Sequence, residues 1–263
     1  MQAGNLGGGG LGGGAGLWLA QHVTAIWVPA AILAFSCLLC CFALFFIKER
    51  PSTIRSEKIS ITLSNLFKDI WDSLKAKMGL MAMILCFIPL GTGAASNLWA
   101  AVSGDWHASA DTVALVTGLL SAGITAASCL VGGWICDRAD RRIAYLIFGL
   151  IQAFCAVAMA YCPHTEIMYI IWTSLYAFTI GLTYAAFAAV VFEAIGRGAA
   201  GTKFTVYGSL GNAPIYYMTI IEGWAQTKFG SNGMLNTEAI FAVVSVVFFW
   251  GLLKYAKAPV QTA

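Results

Sequence analysis

Charge is what this 263-residue chain has least of. Asp, Glu, Lys and Arg make up 10% of it, against about a quarter of an ordinary soluble domain. Hydrophobic residues make up 59%, and the mean hydropathy is +0.78. A soluble globular domain is excluded, and an integral membrane protein remains. Met1-Gln2-Ala3 carries no basic n-region, so the start does not read as a secretory signal peptide. The P-loop pattern G-x-x-x-x-G-K-[ST] is absent, which excludes a P-loop ATP-driven pump. The eight cysteines (37, 40, 41, 86, 129, 136, 155 and 162) lie almost wholly in apolar runs, with no C-x-x-C pair beside matching histidines. A zinc site is therefore not expected, and Cys37 and Cys40 read as small apolar filler. Inside the apolar runs we read no histidine and no pair of carboxylates, which leaves a membrane enzyme without a nucleophile–base pair or metal ligands. The net charge of +3 is no nucleic-acid signal, because the basic residues are confined to breaks between the runs. No metal or cofactor is expected.

What the chain does have is apolar runs of membrane-spanning length. We read eight spans: 4–21, 24–47, 78–100, 112–135, 143–161, 167–192, 204–225 and 237–255. The first holds nine glycines between Gly4 and Gly16. The overlapping G-x-x-x-G pairs Gly4/Gly8, Gly8/Gly12 and Gly12/Gly16 predict close packing against a neighbour. Pro89 predicts a kink in the third span. Residues 48–77 form the one long polar segment. Within it Leu66, Phe67, Ile70, Trp71 and Leu74 recur at helical spacing beside Lys68, Asp69 and Asp72, as in an amphipathic helix lying on the membrane face. Residues 226–236 read as a polar loop. With eight spans, fourteen of the fifteen Lys and Arg residues fall on the side of 48–77 and only Lys228 on the other. That side, including the C-terminal tail, is predicted to be cytoplasmic. His22, His107 and His164 then lie outside. A weak repeat relates residues 4–7 (GNLG) to 208–211 (GSLG), six spans apart.

The densest charge sits in residues 132–142 (GGWICDRADRR), five charges in six positions between two spans. A solvated turn that fixes topology is one reading. The other is a gating element: Gly133 for close helix approach, Asp137 accepting from a neighbouring helix N-terminus, and arginines pairing with acids on adjacent loops. The stretch resembles the signature turn of the major facilitator superfamily, G-x-x-x-D-R-x-G-R-R. Gly133, Asp137, Arg138, Arg141 and Arg142 match, and Asp140 stands where that family usually has glycine. Three further stretches, 89–99 (PLGTGAASNLW), 193–203 (EAIGRGAAGTK) and 207–218 (YGSLGNAPIYYM), resemble the peptide–acetyl-coenzyme-A transporter branch, which includes AmpG-like muropeptide permeases.

The resemblance implies an all-α polytopic membrane helical bundle, major facilitator-like, with this chain supplying eight spans of a twelve-helix fold. It places the fifth to twelfth helices here, as in a fragment or after a misplaced start. Residues 1–47 become the last two helices of the N-terminal half, 48–77 a cytoplasmic linker, 78–257 the C-terminal six-helix half, and 258–263 a tail. It implies a central cavity to which Asn97, Tyr176, Tyr184, Asn212 and Tyr216 would present amide and phenol groups suited to a sugar or peptide. Interhelical hydrogen bonding is the other reading of each. Glu222, the acid deepest in a span, is the candidate proton carrier, or else an interfacial residue in water. Glu193 is expected to pair with Arg138, Arg141 or Arg142, and Asp137 to sit against residues 2–4. The function implied is secondary transport of a small organic solute (a muropeptide, sugar or peptide-like molecule) through the bilayer by alternating access, with protons as a second partner. A non-transporting receptor or scaffold and an inactive fragment stand as alternatives. The expected location is a bacterial inner membrane.

Overall fold

The computed structural model describes residues 2–23, 25, 27–46, 68, 71, 75, 77–195 and 200–257, and among these there is no strand. The helices are α1 (Gln2–His22), α2 (Trp27–Phe42), α3 (Lys77–Leu85), α4 (Ala110–Cys136), α5 (Arg141–Tyr161), α6 (Glu166–Ile195), α7 (Ala200–Leu210) and α8 (Ala213–Lys257). Lipid offers no partner to a free N–H or C=O, so a chain this apolar must satisfy its backbone internally, and helices do so. Among the described residues four stretches are long and apolar enough to cross a membrane: Ala110–Cys136, Arg141–Tyr161, Glu166–Ile195 and Gly201–Leu252. The expected amphipathic helix within 48–77 lies outside the described residues, apart from Lys68, Trp71 and Lys75. Lys75 Nζ stands 5.5 Å from the Trp71 ring centroid.

The turn between α4 and α5 shows how local sequence sets local structure. Asp140 has extended backbone, and its carboxylate accepts from the N–H groups of Arg142 (3.0 Å) and Ile143 (3.2 Å). It is the N-cap of α5, satisfying donors that would otherwise be orphaned. The aspartate at the family's glycine position thus has a structural role. At the other end of the bundle, Ser109 caps α4 and donates its N–H to Glu166 Oε1 (3.0 Å), while the Thr112 hydroxyl donates to the same oxygen (2.5 Å). This clasp ties the start of α4 to the start of α6.

Three expectations are corrected. The third span is not one helix with a kink. Helix α3 ends at Leu85, and the chain then unwinds through Pro89, with left-handed backbone at Gly91 (φ 66) and Gly93 (φ 69), before the short helical turns of 94–106. Proline withholds a donor and clashes with the carbonyl four residues back, and the two glycines tolerate positive φ. The predicted loop 226–236 is helical except at Gly230 (φ 71). There the chain folds back: a Cβ at Gly233 would meet Ala225 O at 3.3 Å. Residues eight apart along a straight helix are separated by about 12 Å. Ile220 and Phe241, on opposite arms, line one groove. Finally, of the expected set Gly4, Gly8, Gly12 and Gly16, only at Gly16 would a Cβ meet a neighbour, Leu33 of α2 at 3.1 Å, whereas at Gly4, Gly8 and Gly12 it would meet nothing within 4 Å. The packed face is Gly7, Gly10 and Gly14, set against Ala126, Ala122 and Gly118 of α4. A Cβ on Gly10 would lie 2.7 Å from Ala122 Cβ, and one on Gly14 2.8 Å from Gly118 Cα.

The core lies between α3, α5, α6 and α8, around Leu85, Leu90, Tyr145, Phe148, Leu182 and Phe249. Exposed apolar side chains such as Phe154 and Ile167 face outward, as lipid-facing surfaces do.

Candidate functional site

Two interruptions of helical structure border one cavity of about 420 Å³. The first is the unwound segment 86–93. The second is the break at Gly211 and Asn212, between α7 and α8 and just ahead of Pro214. Backbone outside a helix is tolerated at membrane depth only where protein or water satisfies it. Here side chains do so: Tyr217 donates to Phe87 O (2.7 Å), Tyr145 to Leu90 O (2.6 Å) and Thr183 to Gly91 O (3.1 Å).

Of the five side chains expected in the cavity, Tyr184 and Asn212 line it. Asn97 lies elsewhere, donating to Thr219 Oγ1 (3.0 Å). Tyr216 is exposed on the outer surface, and Tyr176 is buried in a separate polar network. The sequence reading missed Asn5, Thr183, Thr205 and Ser209, which also border the cavity. Asn5 and Ser209 occupy equivalent places in the GNLG and GSLG repeat, so the repeat held the signal.

The polar network also corrects the reading that the spans hold no pair of carboxylates. Glu222 is 0% exposed and Glu238 is 5% exposed. They interact electrostatically, on opposite arms of the α8 hairpin. Each is eight residues from Gly230, so a fold at that glycine brings them to one depth, about 12 Å from the tip. Tyr176 donates its hydroxyl to Glu238 Oε1. Gln152 Nε2 donates to the same oxygen (3.2 Å) and to the Tyr176 hydroxyl (3.0 Å). Glu238 Oε2 and both oxygens of Glu222 have no hydrogen-bond partner among the described residues. Unpartnered buried oxygens are costly as carboxylates, and a proton is the smallest ligand that removes the cost. Among the described residues no group of three or more His, Cys, Asp or Glu could hold a metal.

At the charged turn, Arg142 Nη2 lies 2.5 Å from Glu193 Oε1, joining α5 to the end of α6. Arg138 lies over the Trp134 ring (4.3 Å to its centroid) and donates to Trp134 O (3.1 Å). Asp137 and Arg141 share a recess of about 310 Å³ with Ala3 of α1. Gly133 faces open space, so the expected close approach there is corrected. Its neighbour Gly132 makes it instead, with a Cβ position 3.0 Å from Leu182 Cα.

The sequence profile of the Major Facilitator Superfamily matches residues 1–217. Among curated proteins none matches the chain.

Proposed function

The chain belongs to the Major Facilitator Superfamily, a family of membrane transporters, and on that premise we propose that it carries a small organic solute by proton-coupled alternating access. The observation that carries this reading is the buried pair Glu222 and Glu238, with three oxygens unpartnered among the described residues, connected through Gln152 and Thr183 to a cavity bordered by two breaks in helical structure. Intramembrane acids are kept against a solvation cost where they serve ion or proton pathways. Broken helices at a midplane site are a recurrent feature of secondary transporters.

The cavity side chains that bear polar groups, among them Asn5, Thr92, Tyr145, Thr183, Ser209 and Asn212, are all uncharged. They suit a solute rich in hydroxyls and amides: a muropeptide, a sugar or a small peptide-like molecule. Muropeptides come first, because of the three stretches that resemble that branch. The turn 133–142 and Glu193 serve as the gate on one side, held by the Arg142–Glu193 pair in this state and released in the other. We place the protein in a bacterial inner membrane, with 48–77 and the C-terminus in the cytoplasm.

The test is uptake of a tritiated disaccharide-peptide muropeptide by proteoliposomes containing the full chain. Uptake that rises with an inward proton gradient and collapses with a protonophore is expected. Uptake indifferent to the gradient would overturn the proton coupling, and absence of uptake would overturn the solute class.

A further inference from the structure

The cavity and the carboxylate pair are separate in space, yet one side chain touches both environments. Gln152 of α5 is 2% exposed. Its Nε2 faces Tyr176 and Glu238, and its Oε1 lies 3.5 Å from Thr183 Oγ1. Thr183 borders the cavity. Its single hydroxyl proton has three acceptors within reach: Ile180 O (2.9 Å), Gly91 O (3.1 Å) and Gln152 Oε1 (3.5 Å). Two of these are fixed backbone groups, one on the helix itself and one on the unwound segment. The third is the amide that holds Glu238.

We propose that Thr183 and Gln152 form a relay that conveys occupancy of the cavity to Glu238. A solute that hydrogen-bonds Thr183, or that moves the Gly91 carbonyl, changes which acceptor the hydroxyl serves. When the proton turns toward Gln152 Oε1, the amide is polarised and its Nε2–H groups become stronger donors to Glu238 and Tyr176. When it turns away, that support weakens. Gln152 is thus a positioning residue, acting through Glu238, and Thr183 is its contact in the cavity. The tight fit of the segment supports a defined rather than a loose contact: a Cβ at Gly91 would come within 2.7 Å of Thr183 Cγ2. The titratable groups that act on the pair from surrounding elements are Tyr176 of α6 and Cys155 of α5, besides the two glutamates. The relay rests on the reading of Glu222 and Glu238 as the proton site.

The experiment is a double-mutant cycle read by infrared pH titration of the carboxyl C=O band, on the full chain in lipid. Loss of a band in Glu238→Gln assigns it. Thr183→Val, which keeps the shape and removes the hydroxyl, is expected to change the proton affinity of Glu238 roughly tenfold, within the range of couplings between residues in one network. In the Gln152→Leu background the same substitution is expected to change nothing. Thr183→Ser, which keeps the hydroxyl, is expected to titrate as the parent. An unchanged midpoint in Thr183→Val, or a shift that persists without Gln152, overturns the relay. If neither Glu222→Gln nor Glu238→Gln removes a titrating band, the proton site itself falls, and that result is distinct from failure of the relay.

Discussion

Two of the regions of this molecule that carry acids handle charge in opposite ways. At the turn 137–142 and at Glu193, charges meet near water. Arg142 and Glu193 keep 21% and 35% of their side-chain surface, and Asp140 caps a helix. Such pairs cost little to form and contribute little, about 0–1 kcal/mol. At Glu222 and Glu238 two acids are buried together with, among the described residues, no basic partner and three oxygens unbonded. An ion there carries a penalty of several kcal/mol. In the proposed function the first region serves as a latch that opens and closes at small cost, and the second as a site whose charge state changes with its occupant. A transporter that couples gating to proton binding needs one of each.

The comparison is broken most severely at the buried pair. Glu222→Gln or Glu238→Gln is expected to abolish gradient-driven uptake while leaving solute exchange across proteoliposomes intact. Glu222→Met, which removes both unpartnered oxygens, is expected to stabilise the fold by about 1–4 kcal/mol in thermal unfolding, function being lost as stability rises. A lower melting temperature would show that Glu222 holds the core together. Next comes the packing that frames the site. A Cβ at Gly181 would fall 1.8 Å from Ser128 Oγ and 2.4 Å from Thr125 O, so Gly181→Leu is expected to destabilise the α4–α6 seam by about 1–3 kcal/mol.

At the turn the effects on stability are smaller. Asp137→Asn and Arg141→Ala are expected to impair uptake with little change in unfolding temperature, and normal uptake by both would remove the gating role. Arg142→Ala is expected to cost no more than about 1 kcal/mol. The neighbouring glycines divide in sign. Gly133→Ala, in open helix surface, is expected to stabilise by about 0.4–1 kcal/mol. Gly132→Ala, facing Leu182 and Ala185 at 3.0 Å, is expected to destabilise.

What was legible in the sequence follows the same division. The charged turn, the helices flanking it and a partner for Glu193 could be read because charge and hydropathy are local properties, settled by the residues themselves. The face on which α1 packs could not. Gly4/Gly8/Gly12 and Gly7/Gly10/Gly14 lie on different sides of one glycine-rich helix, and only α4, through Ala122 and Gly118, selects between them. The unwinding at 86–93 was half legible. Pro89 announced an interruption, but the length of it depends on Tyr145, Thr183 and Tyr217 arriving from distant helices to take the freed carbonyls. Glu238 escaped because hydropathy placed it at the edge of a span. Its symmetry with Glu222 about Gly230 becomes meaningful only once the chain is known to reverse at that residue. Of the cavity side chains, Tyr184 and Asn212 were anticipated, whereas Asn5 and Ser209 were noticed as a repeat without being assigned a place.

The most direct measurement is proton movement during solute entry, followed with an external pH dye while a muropeptide is added to proteoliposomes. Alkalinisation of the medium is expected with the parent protein, and none with Glu222→Gln or Glu238→Gln although exchange persists. Solute entry without proton movement, or proton movement undiminished in both variants, would contradict the proposed coupling.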